Sequence, residues 1–355
     1  MIRFGIVGSG WRAQFYLRIA RELPDCFEIS GIVTRKKKVA ELSPGFQNIK
    51  FFNSIHEMVQ KTAPSFTVTS VPQAVNVRVI ESLTHENQPI LSETPPAETI
   101  AELERLFALE TTGARVQVAE QYHLQPHHAA SIAFCKSGKL GKINEAHVSA
   151  AHGYHGVSLI RRFLDLGFEN TSITTTTFTA PVTIGPGRSG PPETDQIIES
   201  TRSLAWLDFG DQLGIYDFVA DQYFSPIRNN FTVVRGTKGE LSNNHAIYLQ
   251  DYLTPVKVPI ERIQAGTEGD LEGHFLKGYQ IGEQWLYKNP LTPGRLTDDE
   301  IAVGNCLIKM HKYSTSGVSF YSLSEACQDR YLDIMIAESQ KKKSIVKTQR
   351  QIWAK

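Results

Sequence analysis

The stretch from Ile2 to Ala13 constrains this chain more than any other. Ile2-Arg3-Phe4-Gly5-Ile6-Val7 is short, β-rich and mostly apolar, the pattern of a strand buried in a parallel sheet. It runs straight into Gly8-Ser9-Gly10-Trp11-Arg12-Ala13. Phe15, Tyr16, Leu17, Ile19 and Ala20 then form the apolar face of a helix that stops near Pro24. Gly-x-Gly-x-x-Ala, placed between a strand and a helix, is the setting in which a chain binds a dinucleotide. Gly8 permits the tight turn, Gly10 lets the backbone approach a pyrophosphate, and Ala13 is small enough for close helix–strand packing. The helix N-terminus is expected to turn its free N–H groups and positive dipole end toward the phosphates. Gly8, Ser9, Gly10, Trp11, Arg12 and Ala13 are therefore expected to hold NAD or NADP.

Downstream the alternation continues. Strands are predicted over Phe27–Val33, Phe66–Thr69, Ile90–Leu91 and Val116–Ala119. Between them lie helical patterns after Ser54, with Glu57 at the capping-box position, over Val75–Leu83 and over Thr99–Glu110. Strands separated by helices of this length mean βαβ units and a parallel sheet. About 20 residues past the glycine motif, an acid would bind the ribose of NAD and a basic residue the 2′-phosphate of NADP. The chain offers Thr34-Arg35-Lys36-Lys37-Lys38 and no acid. Thr34 can hydrogen-bond a phosphate, and Arg35 can pair with it or stack on adenine, which tilts the expectation to NADP. The same basic run can instead open a surface helix.

After Tyr122 the texture changes. A helix is predicted over Pro126–Lys136, followed by a long region rich in Thr, Val, Phe and Tyr, with alternating segments over 173–179, 203–209 and 231–234. These are antiparallel-sheet signals. The Gly/Pro-rich run 185–192 reads as a surface hairpin excursion, and helices return over Asp299–Tyr313 and Ser324–Ser339. The expected fold is α/β: a Rossmann dinucleotide-binding domain over 1–122, then a domain over 123–355 with an open, mostly antiparallel sheet and C-terminal helices. Thirty-seven basic residues balance 37 acidic ones in a chain of 355, which argues against a nucleic-acid partner. The four cysteines are scattered with no Cys-x-x-Cys pair, as in reduced cytosolic thiols. No apolar run approaches the roughly 20 residues that cross a bilayer, and strand-like residues begin at Ile2 with no signal-peptide n-region ahead. A cytoplasmic protein with no membrane partner is expected.

These residues resemble the glucose–fructose oxidoreductase, inositol dehydrogenase and rhizopine-catabolism (Gfo/Idh/MocA) oxidoreductases. The likeness runs through Gly8–Ala13, Val33-Thr34-Arg35, Ser70-Val71-Pro72, Glu93-Thr94-Pro95, Gly236-Thr237-Lys238-Gly239 and Ser322-Leu323-Ser324-Glu325-Ala326. It implies that Ser70, Val71, Pro72, Glu93, Thr94 and Gln121 join the cofactor-binding set, that substrate sits between the domains, and that the sheet face serves homo-oligomerisation. The departures are as informative. The family's Glu-Lys-Pro lysine, which binds substrate and polarises the reacting oxygen, is Thr94, and a hydroxyl cannot supply that charge. Aligning the family's catalytic His with His155 places Ala151 and Ser158 where Asp residues are expected, and Tyr122 and His123 stand where paired Arg residues precede a proline.

Hydride exchange with a secondary alcohol needs an acid/base poised near neutral pH, and histidine is the natural one. By family position His155 is the candidate, with Tyr154 to share the proton or hold substrate. Thr94, His123, Tyr154, His155 and Arg161 form the candidate substrate-binding set, although His155 and His123 can equally be core histidines and Arg161 an exposed helix charge. No metal is expected: His152 and His155 lack a third ligand at useful spacing. Two functions stay open. One is an NAD(P)-dependent oxidoreductase of sugars, polyols, cyclitols or related hydroxy and keto compounds. The other is a nucleotide-binding regulatory protein of the same fold without catalysis.

Overall fold

The computed structural model describes residues 1–34, 49–188, 190–267, 271 and 273–354. The first part of the chain runs β1 (Ile2–Val7), α1 (Ala13–Glu22), β2 (Phe27–Val33), β3 (Phe51–Phe52), α2 (Ile55–Thr62), β4 (Phe66–Thr69), α3 (Gln73–His85), β5 (Ile90–Ser92), α4 (Ile100–Thr111) and β6 (Val116–Val118). Then come α5 (Pro126–Lys136), β7 (Ile143–Ser149), α6 (Gly153–Leu164), β8 (Ser172–Thr183), β9 (Ile197–Asp208), β10 (Leu213–Val219), β11 (Phe231–Gly236), β12 (Gly239–Ser242), β13 (His245–Leu249) and β14 (Pro255–Pro259). The last elements are β15 (Glu261–Gly266), β16 (His274–Ile281), β17 (Gln284–Lys288), α7 (Asp298–Ser316), α8 (Leu323–Lys342) and β18 (Val346–Lys347).

The chain divides into two compact units. The first holds a six-stranded sheet ordered β3-β2-β1-β4-β5-β6, with every neighbouring pair parallel. The order reverses between β1 and β4, which puts a topological switch point at their carboxyl ends. Local chemistry sets the helix starts. Thr99 and Glu102 close a full capping box on α4, while Ser54 caps α2 by accepting from the Glu57 N–H at 3.1 Å. The Glu57 carboxylate takes Lys61 at 2.7 Å. Phe4, Ile6, Phe66 and Val68 of the sheet pack with Phe15, Tyr16, Leu17 and Ile19 of α1.

That core also takes Ala302, Val303, Cys306, Leu307 and Met310 from α7. The first unit therefore comprises Met1–Pro126 together with Arg262–Gly278 and Lys288–Cys327, so the chain does not separate at 122/123. The reason is hydrophobic: the apolar stripe of α7 has its complement on α1 and the parallel sheet, and burying each such side chain is worth about 1.5–3 kcal/mol. Textural change along a sequence does not reveal a segment that returns.

The second unit (His127–Glu261, Tyr279–Tyr287, Gln328–Lys355) is built on a nine-stranded sheet ordered β14-β13-β12-β11-β7-β10-β9-β8-β18. Only β7 and β10 pair in parallel; the other neighbours are antiparallel. The expected Rossmann-plus-antiparallel-sheet architecture is thus present. One face buries Ala146, Val148, Ala205, Leu207, Tyr216 and Val234, and α6 packs against β7 and β10. On the other face alternation leaves Trp206 50% and Phe178 65% exposed. No described helix is long and apolar enough to cross a membrane.

Candidate functional site

The glycine loop stands at the switch point, and its two glycines have different jobs. Gly8 adopts φ +114°, and a Cβ there would lie 2.0 Å from the Ser70 carbonyl oxygen. The Gly8 N–H donates to the Val33 carbonyl (2.9 Å) and the Ser70 N–H to the Val7 carbonyl (2.7 Å), so the ends of β1, β2 and β4 are laced together there. A Cβ at Gly10 would meet no atom within 4 Å. That open space is what a phosphate approaching the backbone requires. Ala13 is 1% exposed at the start of α1, as helix–strand packing demands.

The N–H groups of Ala13, Gln14 and Phe15 already donate to the carbonyls of Gly10, Trp11 and Arg12 at 3.0–3.2 Å. The turn thus opens at Gly10, and the N–H groups not bonded within it are those of Gly10, Trp11 and Arg12, within the glycine motif.

Two sets of side chains flank this loop. Toward β2, the Ser9 and Thr34 hydroxyls are hydrogen-bonded at 2.8 Å. Arg35, the expected partner of a 2′-phosphate, lies outside the described residues. Toward β5 and β6, the Arg12 guanidinium faces Glu93 Oε2 at 3.6 Å and donates through Nη2 to the Gln121 amide oxygen at 3.0 Å. Glu93 also accepts from the Tyr16 hydroxyl at 2.5 Å. Burial and the Glu93 charge push Tyr16 well above its ordinary value. Burial opposes the Arg12 charge, yet Glu93, Tyr16 and Asp299 hold Arg12 above its ordinary value. Arg12 also lies over the rings of Trp11 (5.3 Å) and Phe15 (4.7 Å). Pro72 precedes the first turn of α3, Val71 and Thr94 are half-buried, and the His123 ring lies 5.1 Å from that of Tyr321. The residues fit a dinucleotide: the space at Gly10 is open, and buried Arg12 Nη1 has no hydrogen-bond acceptor among the described residues.

In the second unit, α6 begins at the histidine cluster. The His155 ring stands 5.0 Å from His152 and 5.3 Å from Tyr154. Tyr154 is 1% and His155 5% exposed. Partial desolvation of a residue that stays exposed on one side, the charge of His155 and those of Arg188 and Arg330 push His152 down to about 4, with Asp333 opposing. His152 is thus neutral at pH 7, a weak base. The first turn of α6 is held by hydroxyls that sequence reasoning missed: the His152 N–H donates to Tyr223 and the Gly153 N–H to Tyr216, both at 2.9 Å. Asp333, from α8, lies so close that a Cβ on Gly153 would sit 2.1 Å from its Oδ1. No spacing rule could have found these residues. Arg188 shows that the Gly/Pro-rich run brings charge to this cluster.

Arg161 is not the substrate anchor it was expected to be. Its side chain is 4% exposed and ion-paired with Asp329, itself fully buried, and its Nη2 donates to the Gly167 carbonyl at 2.6 Å. It ties α6 to α8. Among the described residues no group of three or more His, Cys, Asp or Glu side chains could hold a metal.

With this geometry established, the model of the oxidoreductase family with an NAD-binding Rossmann fold, Gfo/Idh/MocA, matches residues 2–120. Residues 2–120 are thus similar to the NAD-binding Rossmann domain of that family. No curated protein matches the sequence. Among solved structures, levoglucosan dehydrogenase in complex with NADH and levoglucosan is 15% identical with a TM-score of 0.69, over 98% of this chain and 99% of that one. An oxidoreductase from Agrobacterium radiobacter, in complex with NAD+, L-tartaric acid and magnesium, is 14% identical with a TM-score of 0.66, over 97% and 98%. Scyllo-inositol dehydrogenase from Lactobacillus casei is 16% identical with a TM-score of 0.64, over 98% of each chain. At such identities the likeness speaks for the fold, and it extends through both units.

Proposed function

We propose that the protein is an NAD(P)-dependent oxidoreductase of a sugar, polyol, cyclitol or related hydroxy or keto compound. The observation that carries this reading is the glycine loop, open at Gly10 and pinned at Gly8, at the switch point of a Gfo/Idh/MocA Rossmann domain. The levoglucosan and scyllo-inositol dehydrogenases of the same fold support the substrate class. When bound, the dinucleotide supplies the acceptor or donor of the hydride. On this reading His155 takes the hydroxyl proton as the carbon gives up its hydride and the C=O bond forms, and returns it in the reverse direction. Tyr154 backs the His155 ring, and Thr94 and His123 contribute polar contacts to substrate. Gly8–Ala13, Ser70–Pro72, Glu93 and Gln121 form the cofactor side. Thr34 with Arg35, and no acid, favours NADP over NAD. The apolar side chains on the open sheet face suit a second copy of the chain, and sedimentation reads that state.

A second reading, a nucleotide-binding regulator without catalysis, is favoured by Thr94 and Ala151 standing where the family resemblance expects Lys and Asp. Calorimetric titration with NAD+, NADH, NADP+ and NADPH tests what both readings share. Saturable binding is expected, and binding of none would overturn both.

A further inference from the structure

Arg12 carries a charge that the turn around it does not need in order to form. Its Nε faces Glu93 and its Nη2 is held by Gln121, while buried Nη1 has no acceptor among the described residues. Both partners follow strands on one side of the switch point, β5 and β6. Ser9 reaches the opposite way, to Thr34 at the end of β2. The loop therefore has two chemically distinct flanks.

In a doubly wound sheet the side chain at the end of the second strand meets the adenosine ribose. Adenosine thus belongs on the Ser9 flank, and the nicotinamide half of the same molecule on the Arg12 flank. A guanidinium held by two acceptors is a fixed cation rather than a mobile surface charge.

We propose that Arg12 is the fixed positive charge at the nicotinamide end of the site. A cation in that position discriminates between the two redox forms of the cofactor, because the oxidised ring is positive and the reduced ring neutral. It also puts positive charge beside Glu93, the chain neighbour of Thr94, which itself offers only a hydroxyl. Glu93 offsets part of the field, so the discrimination is several-fold rather than many hundred-fold. The inference rests on the dinucleotide reading and deepens it.

The test is calorimetric titration of NAD+ and NADH, and of NADP+ and NADPH, into the wild-type protein and the Arg12→Met and Arg12→Lys variants. For whichever cofactor binds, Arg12→Met is expected to shift the affinity ratio toward the oxidised form by at least threefold, while Arg12→Lys stays within about twofold of the wild-type ratio. The two forms share one pyrophosphate, so an equal loss for both would make Arg12 a phosphate anchor and overturn the proposal. Unchanged affinities would overturn it too, leaving Arg12 a structural tie. Should Arg12→Met not fold, Arg12→Gln removes the charge but keeps donors and carries the same expectation. A wild-type protein that binds none of NAD+, NADH, NADP+ and NADPH defeats the dinucleotide reading itself, an outcome distinct from either of these.

Discussion

Substituting the two glycines of the loop one at a time separates folding from binding. At Gly8 any side chain inherits φ +114°, at a strain of about 1–3 kcal/mol. Its Cβ also meets the Ser70 carbonyl oxygen at 2.0 Å, so the end of β4 must move. That movement strains the Gly8-to-Val33 and Ser70-to-Val7 hydrogen bonds, each worth about 1 kcal/mol. Gly8→Ala should therefore lose about 3–5 kcal/mol of stability in urea denaturation. Gly10→Val should behave oppositely. With no atom within 4 Å of its Cβ, stability should stay within about 0.5 kcal/mol of wild type. The branched side chain fills the space a phosphate would use, at a loss of about 1.5–3 kcal/mol of charge-assisted contact. Dinucleotide affinity by calorimetry should then fall roughly 10- to 150-fold. The reasoning is refuted if Gly10→Val binds like wild type, or if Gly8→Ala is as stable as Gly10→Val.

Other perturbations follow from the same geometry. Arg161→Met leaves fully buried Asp329 without its counter-charge, and denaturation should register a loss of about 3–5 kcal/mol with dinucleotide affinity unchanged. For His152, whose folded-state value lies near 4 against an ordinary 6.5, the unfolded chain binds a proton that the folded one refuses between those values. Its contribution is therefore neutral above about pH 6.5 and increasingly destabilising as pH falls toward 4. His152→Asn should flatten that part of the stability–pH curve; an unchanged slope would contradict the assignment.

What the sequence disclosed and what it hid divide by distance along the chain. The Gly8–Ala13 loop and the Thr99–Glu102 cap are local devices, set by residue type at fixed spacing, and they stand where the pattern put them. Antiparallel strands were legible from alternation, although β8 and β9 each extend well past the segments that signalled them. Arg161 looked like an exposed helix charge because its partner lies 168 residues away, and nothing near it in sequence announces a buried pair. Asp333, Tyr216 and Tyr223 reach the start of α6 only through tertiary packing. The return of α7 to the parallel sheet was hidden for the same reason: an apolar stripe tells that a helix is covered, not by what.

The central claim is hydride transfer, and it is tested most directly by following nicotinamide reduction across a panel of sugars, polyols and cyclitols with NAD+ and NADP+. The account predicts turnover on at least one member. It also predicts that His155→Ala lowers kcat by about 10²–10⁴-fold while leaving dinucleotide affinity unchanged. Saturable dinucleotide binding with no turnover on any compound, or a His155→Ala variant as active as the parent, would contradict it.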